Sequence, residues 1–180
     1  MNANFSAALA LVLPQEGGFQ DNPHDRGNWT SGIVGQGTLK GTKYGISAAA
    51  YPLRDIENLT LADAATIYQW NYWAPAGCDL LPTGVDLCVF DATVNEGQRR
   101  AVEALQGVVG CGQDGVCGPV TCAAVAKLGS AETIALFSDA RRVFYRQAAT
   151  NPNEAANLGD WMRRVQDIET AALGWIAKGQ

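Results

Sequence analysis

Apolar residues near the start of the chain follow the spacing of an amphipathic helix. They recur at i, i+3, i+4, i+7 and i+8 between Phe5 and Leu13, which places them on one helical face. No basic segment precedes this run and no small-residue cleavage site follows it, so we interpret it as folded protein rather than a signal peptide. No other stretch approaches the roughly 20 apolar residues of a membrane span. We therefore expect a soluble protein without stable membrane insertion.

A different pattern follows between Glu16 and Tyr44. This segment is rich in Gly, Asn, Asp and Thr, with glycine recurring from Gly17 to Gly41. Residues of this kind break helices and permit tight turns and short hairpin strands. The segment is therefore the one β element that the sequence predicts.

Helical spacing returns after Leu61. Thr60 or Asp63 can cap a helix that extends to Tyr72. The next apolar run, 85–94, has no polar face, which is typical of a helix at the centre of a fold. The pattern as a whole predicts a mainly α protein with one small hairpin lobe near its N-terminus. Further helices are predicted at 101–108, 121–128, 131–149 and 158–177.

Length, composition and charge restrict the functions that this pattern can serve. With 180 residues, 47% of them hydrophobic and 17% charged, the chain can bury one core and a small accessory lobe. A formal net charge of −5 and a single histidine, His24, argue against a nucleic-acid partner, which would require a basic face. We expect one domain and a monomer.

The cysteines are odd in number, so at least one of the five is unpaired within a monomer. Cys111, Cys117 and Cys122 lie close together in a Gly-rich stretch, but no CxxC spacing is present and the histidine is distant in sequence, which disfavours zinc. We favour buried thiols. A Cys111–Cys117 disulfide is the alternative if the protein works outside the cytoplasm.

Two carboxylates occupy contrasting positions. Glu16 lies where the first helix meets a Gly-Gly pair, and Asp25 lies within the turn-rich segment. Glycoside hydrolysis uses one carboxyl group that is kept protonated and one that is kept ionised. Glu16 and Asp25 fit these two roles by context, although helix ends and turns also carry such residues for structural reasons. Asp21 is the alternative if Asp25 has a structural role.

A longer match strengthens this interpretation. The N-terminal half resembles glycoside hydrolase family 108, a group of N-acetylmuramidases common in phages and prophages. The resemblance implies a lysozyme-like α+β fold, with Glu16 as the catalytic acid, Asp25 assisting the attacking water, and no metal or other cofactor. It is carried by three blocks in order: Glu16-Gly17-Gly18-Phe19, Asp21-Asn22-Pro23-His24-Asp25-Arg26-Gly27 and Gly41-Thr42-Lys43-Tyr44-Gly45-Ile46-Ser47.

The threonine that shares the water with Asp25 is less definite, because an insertion separates the second and third blocks. Either Thr42 or Thr30 could fill this role, and we favour Thr42 because its block matches the family as a unit. Tyr44 and Gly45 would then line the substrate cleft, with packing of the Tyr44 ring on the core as the alternative.

The C-terminal half resembles the predicted peptidoglycan-binding region that accompanies this family. We therefore expect a single lysozyme-like domain over 1–180, with a catalytic part with its hairpin at 1–84 and the central helix and helical C-terminal lobe at 85–180. Asn95 could bond a sugar N-acetyl group, or it could serve capping or core bonding. Trp70 and Trp73 could stack on sugar faces, but their helical spacing favours positions in the core. The matching positions are Asp91, Val94, Asn95, Gly97, Arg100, Ala101, Leu105, Gln106, Asp114, Gly115, Gly118, Pro119 and Thr121.

These features predict an N-acetylmuramidase that cleaves the β-1,4 bond between N-acetylmuramic acid and N-acetylglucosamine, most simply a phage endolysin. It would be made in the host cytoplasm and act on the wall in the periplasm after release through a holin or another route. Alternatives are a lytic transglycosylase, a chitin or chitosan hydrolase, and a non-catalytic cell-wall-binding or virion protein. The intact Glu16 disfavours the last of these.

Overall fold

The computed structural model describes residues 3–179 and confirms a mainly helical protein with one small sheet. The two strands are antiparallel, with Thr42 opposite Ser47 and Lys43 opposite Ile46. The elements are α1 (Ala3–Val12), β1 (Thr42–Lys43), β2 (Ile46–Ser47), α2 (Leu61–Tyr68), α3 (Val85–Glu96), α4 (Gln98–Val109), α5 (Pro119–Leu128), α6 (Ser130–Ala148) and α7 (Leu158–Ala177).

The described chain divides into two compact units. Ser6–Gln69 forms the first, here called the hairpin unit, and residues 3–5 with 70–179 form the second, the helical unit. In residues 3–179 no single helix is long and apolar enough to cross a membrane; only α5 and α6 counted together, across a bend of 104°, meet that criterion.

The hairpin unit owes its β structure to a turn with two left-handed residues. Tyr44 has φ 54° and Gly45 has φ 71°, the conformations that a two-residue hairpin turn of the primed type requires. The strands therefore lie at the end of the predicted β segment and beyond it. Within that segment, backbone pairing is limited to isolated bridges of Gln20 with Thr42 and of Trp29 with Leu39.

Helix α2 begins as predicted. Thr60 accepts a hydrogen bond from the backbone N–H of Asp63, whose side chain bonds back to the N–H of Thr60, so the two residues form a capping box. The helix ends at Tyr68 and continues as a π-helical turn, Gln69–Trp73. Because this wider turn changes the residue spacing, Trp73 is fully buried while Trp70 is 67% exposed. The expected core position of Trp70 was wrong.

Helix α3 is the core of the helical unit. Every residue from Val85 to Thr93 is buried, which confirms the prediction drawn from its lack of a polar face. Phe90 meets Phe5 and Trp73 in edge-to-face contacts, with ring centroids 5.9 and 5.4 Å apart. Aromatic contacts of this geometry stabilise a core beyond the area that they bury.

All five cysteines are free thiols, so the Cys111–Cys117 disulfide is not formed in the structure. Cys78, Cys88 and Cys117 are buried, and the other two are partly buried. Burial, together with the neighbouring Cys122 thiol, raises the pKa of Cys117 to about 12, so this thiol is protonated at neutral pH.

Candidate active site

Glu16 ends the 3₁₀ turn Leu13–Glu16, which extends α1. Pro14 is compatible with the start of this turn, because proline lacks a backbone N–H and the first N–H groups of a helical turn have no partner within it. Gly17 follows with φ 79°, a conformation that ends the helical turn and is open to glycine without strain. The predicted junction of helix and Gly-Gly pair is therefore confirmed, and the Glu16 side chain is half-buried there.

The hairpin turn packs on Glu16. A Cβ atom at Gly45 would lie 3.0 Å from Glu16 Oε2 and 2.9 Å from the Tyr68 hydroxyl, so only glycine fits without displacement. Two hydrogen bonds hold this turn: the Tyr44 N–H donates to Gly17 O at 3.2 Å, and Tyr68 Oη donates to Tyr44 O at 2.8 Å. Tyr68 is thus a site residue that sequence reasoning missed.

We expect Gly45→Ala to impair cleavage more than folding. The left-handed φ costs an L-residue about 1–2 kcal/mol, and the new methyl group must displace either Glu16 or Tyr68. Gly35→Ala is the matched control, since Gly35 has φ 77° but no atom within 4 Å of the added Cβ. Thermal melts and turnover of both variants test this: equal activity in the two would contradict a role of the turn in placing Glu16.

Asp25 caps the 3₁₀ turn Arg26–Asn28 and is exposed. Its Oδ1 accepts from the N–H of Gly27 at 2.8 Å, and its Oδ2 accepts from Gln20 Nε2 at 3.2 Å. The same Gln20 amide is bonded to Asn28, whose Oδ1 accepts a 2.7 Å hydrogen bond from Thr42 Oγ1. Asp25 and Thr42 are therefore joined through two amides, neither of which sequence reasoning had singled out.

Thr30 is engaged elsewhere. Its Oγ1 accepts from the N–H of Thr38 at 2.9 Å and lies 2.5 Å from the position of a Cβ at Gly37, so it faces its own loop. Asn95 belongs to the helical unit, where its amide donates to Tyr145 Oη at 2.5 Å. The hydrogen bonds thus bring Thr42, but not Thr30, into one network with Asp25.

An apolar cavity of about 430 Å³ lies beside the Glu16 segment within the hairpin unit. It has enough room for a sugar substituent, and its surface offers mainly nonpolar contacts. Across residues 3–179, no group of three or more His, Cys, Asp or Glu side chains is arranged to hold a metal ion. The cavity is lined by Ala10, Leu13, Pro14, Gly17, Gly18, Tyr44 and Leu61.

Comparisons with known proteins find similarity to one family and to a solved structure. The family model of glycosyl hydrolase 108 matches residues 9–97, a range that includes every candidate site residue. The solved structure of SagA from Brucella abortus is 33% identical in sequence, with a TM-score of 0.77 over 97% of this chain and 96% of that one. No curated protein sequence matches the chain.

The described residues form a lysozyme-like α+β fold, and the SagA structure shares this fold. The chain belongs to the glycosyl hydrolase 108 family. It is accordingly an enzyme that cleaves peptidoglycan, as the N-terminal motifs predicted.

Proposed function

We propose that the protein is an N-acetylmuramidase that hydrolyses the β-1,4 bond between N-acetylmuramic acid and N-acetylglucosamine, with Glu16 as general acid. The observation that supports this most directly is the contact of the Tyr44–Gly45 turn with Glu16, within the unit that also contains Asp25 and Thr42. A carboxyl group packed against a hydrogen-bonded turn has fewer positions open to it, which favours its placement against a glycosidic oxygen.

In this mechanism protonated Glu16 donates its proton to the oxygen of the leaving N-acetylglucosamine. Asp25 and Thr42 hold a water molecule that attacks the anomeric carbon of N-acetylmuramic acid from the opposite face. The water transfers a proton to Asp25 as its oxygen bonds to carbon. Direct attack by water inverts the anomeric configuration.

We further propose that Tyr44, Gly45 and the neighbouring apolar cavity bind the saccharide, and that the enzyme serves as a phage endolysin. Peptidoglycan lies outside the cytoplasmic membrane, so the enzyme would act in the periplasm after release from the host cytoplasm through a holin or another route. Thr30 is a secondary candidate for saccharide contact, and we expect a monomer.

Product analysis tests the reaction. Purified Gram-negative sacculi digested by the enzyme are expected to yield new reducing ends on N-acetylmuramic acid, initially as the α-anomer by proton NMR. Anhydro-muramic ends without water uptake would instead make the enzyme a transglycosylase. Reducing N-acetylglucosamine ends would show cleavage of the bond between N-acetylglucosamine and N-acetylmuramic acid instead. Faster turnover of chitin than of sacculi would make chitin the preferred substrate.

A further inference from the structure

We propose that the paired amides of Gln20 and Asn28 are positioning residues that fix how Asp25 and Thr42 hold the attacking water. This inference rests on the proposed function, since it concerns the two groups assigned there to the water. Neither amide belongs to the predicted catalytic set.

Asn28 is fully buried, and both ends of its amide are occupied. Its Nδ2 donates to Gln20 Oε1 at 2.8 Å and to Asn22 O at 3.0 Å. Its Oδ1 accepts from Gln20 Nε2 at 3.1 Å and from Thr42 Oγ1 at 2.7 Å. Two carbonyl oxygens facing Nδ2 permit only this amide orientation, because the flipped orientation would set oxygen against oxygen.

The fixed orientation determines the direction of the Thr42 hydroxyl. Asn28 Oδ1 carries no proton and can only accept, so the Thr42 hydroxyl must be the donor of this hydrogen bond. The remaining lone pairs of Thr42 Oγ1 can only accept. A water molecule at this hydroxyl therefore donates to Thr42 and cannot receive a hydrogen bond from it.

Gln20 performs the corresponding task for Asp25. Its Nε2 donates to Asp25 Oδ2, while the N–H of Gly27 donates to Oδ1, so the carboxylate is held by two donors and keeps lone pairs for water. A water molecule that donates one hydrogen bond to Asp25 and one to Thr42 keeps its own lone pairs free to attack the anomeric carbon. A Thr42 hydroxyl released from Asn28 could rotate and donate to the water, occupying a lone pair that the attack requires.

A double-mutant cycle separates this role from a purely structural one. Asn28→Ala is expected to lower kcat on soluble glycan strands by roughly 10- to 100-fold, with KM within about twofold. In a Thr42→Val background, the same change should lower kcat by less than about threefold, because the hydroxyl that Asn28 directs is already gone. Equal losses in the two backgrounds would overturn the proposal.

The buried position of Asn28 makes a second cycle necessary, since Asn28→Ala can also destabilise the loop. Gln20 is exposed, so Gln20→Ala should keep its melting temperature within a few degrees. The effect of Gln20→Ala on kcat is expected to be smaller in an Asp25→Asn background. Additive effects in this cycle would overturn the proposal that Gln20 positions Asp25. Asn58→Ala removes an exposed amide that donates to Asp55 Oδ2 at 2.9 Å, and this control should leave turnover unchanged.

The two proposals fail in different ways. If Glu16→Gln retains full activity or the products are not muramidase products, the proposed function is wrong whatever the cycles give. If Glu16→Gln is inactive and both cycles are additive, the muramidase assignment stands and the positioning role of the amide pair is wrong.

Discussion

Glu16→Gln is expected to reduce peptidoglycan cleavage by about 10²- to 10⁴-fold, the contribution that a positioned general acid makes to a proton-transfer step. Glutamine has the same shape as protonated glutamate but cannot supply the proton. Since Glu16 ends a short 3₁₀ turn and is only half-buried, the neutral amide should leave the fold and the hairpin turn in place. Release of reducing ends from sacculi measures the loss directly.

Glu57→Gln provides the matched control for this experiment. Glu57 is an exposed glutamate of the same unit, and its backbone oxygen rather than its side chain accepts the hydrogen bond from Lys43 Nζ. The control removes the same charge and should retain wild-type turnover. If both variants clear sacculi as fast as the wild type, Glu16 has no part in the reaction.

The helices could be predicted because each one carries its own signal. The capping box at Thr60 and Asp63 lies within four residues of sequence, and the buried helix α3 shows itself by the absence of a polar face. Helix α7 was predicted at 158–177, which are its observed bounds, because its apolar spacing is unbroken. Information of this kind is local, so a single sequence is enough to use it.

The errors arose where the backbone departs from regular helix or strand geometry. Trp70 and Trp73 have helical spacing in the sequence, but the π-helical turn adds width between them and leaves one ring exposed. The hairpin strands are two residues each, too short for an alternating pattern. Their position follows from the turn at Tyr44 and Gly45, whose backbone conformation becomes visible only in three dimensions.

Sequence motifs predicted part of the candidate site, and hydrogen bonds in the structure add further residues to it. Glu16, Asp25 and Thr42 belong to blocks whose order resembles the family. Gln20 and Asn28 carry no periodic or charge signal, because their importance comes from hydrogen bonds between segments that are distant along the chain. The sequence signal that could have indicated Asn28 is a polar residue predicted to be buried beside a turn, since buried polar groups need hydrogen-bond partners.

A buried ion network lies in the core of the helical unit. Arg141 is 2% exposed and pairs with Asp91 at 2.9 Å and with Glu96 at 2.7 Å. Arg164 contacts the other side of Asp91 at 2.8 Å. Burial alone would lower the pKa of Arg141, but the carboxylates of Asp91 and Glu96 outweigh it and raise that pKa, so the guanidinium stays charged.

Arg141→Met is therefore expected to destabilise the protein by about 3–5 kcal/mol, because it leaves two buried carboxylates with too little positive charge. The loss would be a large share of the roughly 5–15 kcal/mol that stabilises a typical domain. Urea titration followed by circular dichroism measures it. Arg163→Met is the control: the Arg163–Asp160 pair is exposed, so its removal should cost no more than about 1 kcal/mol.

Adding Glu96→Gln to Arg141→Met should recover part of this loss, because the excess negative charge falls while Tyr145 can still donate a hydrogen bond to the new amide oxygen. Recovery would identify uncompensated charge as the main cost. If the double variant is as unstable as the sum of the single changes, the cost lies instead in the packing that the Arg141 side chain provides. The network would then stabilise the core through its shape rather than through its charge.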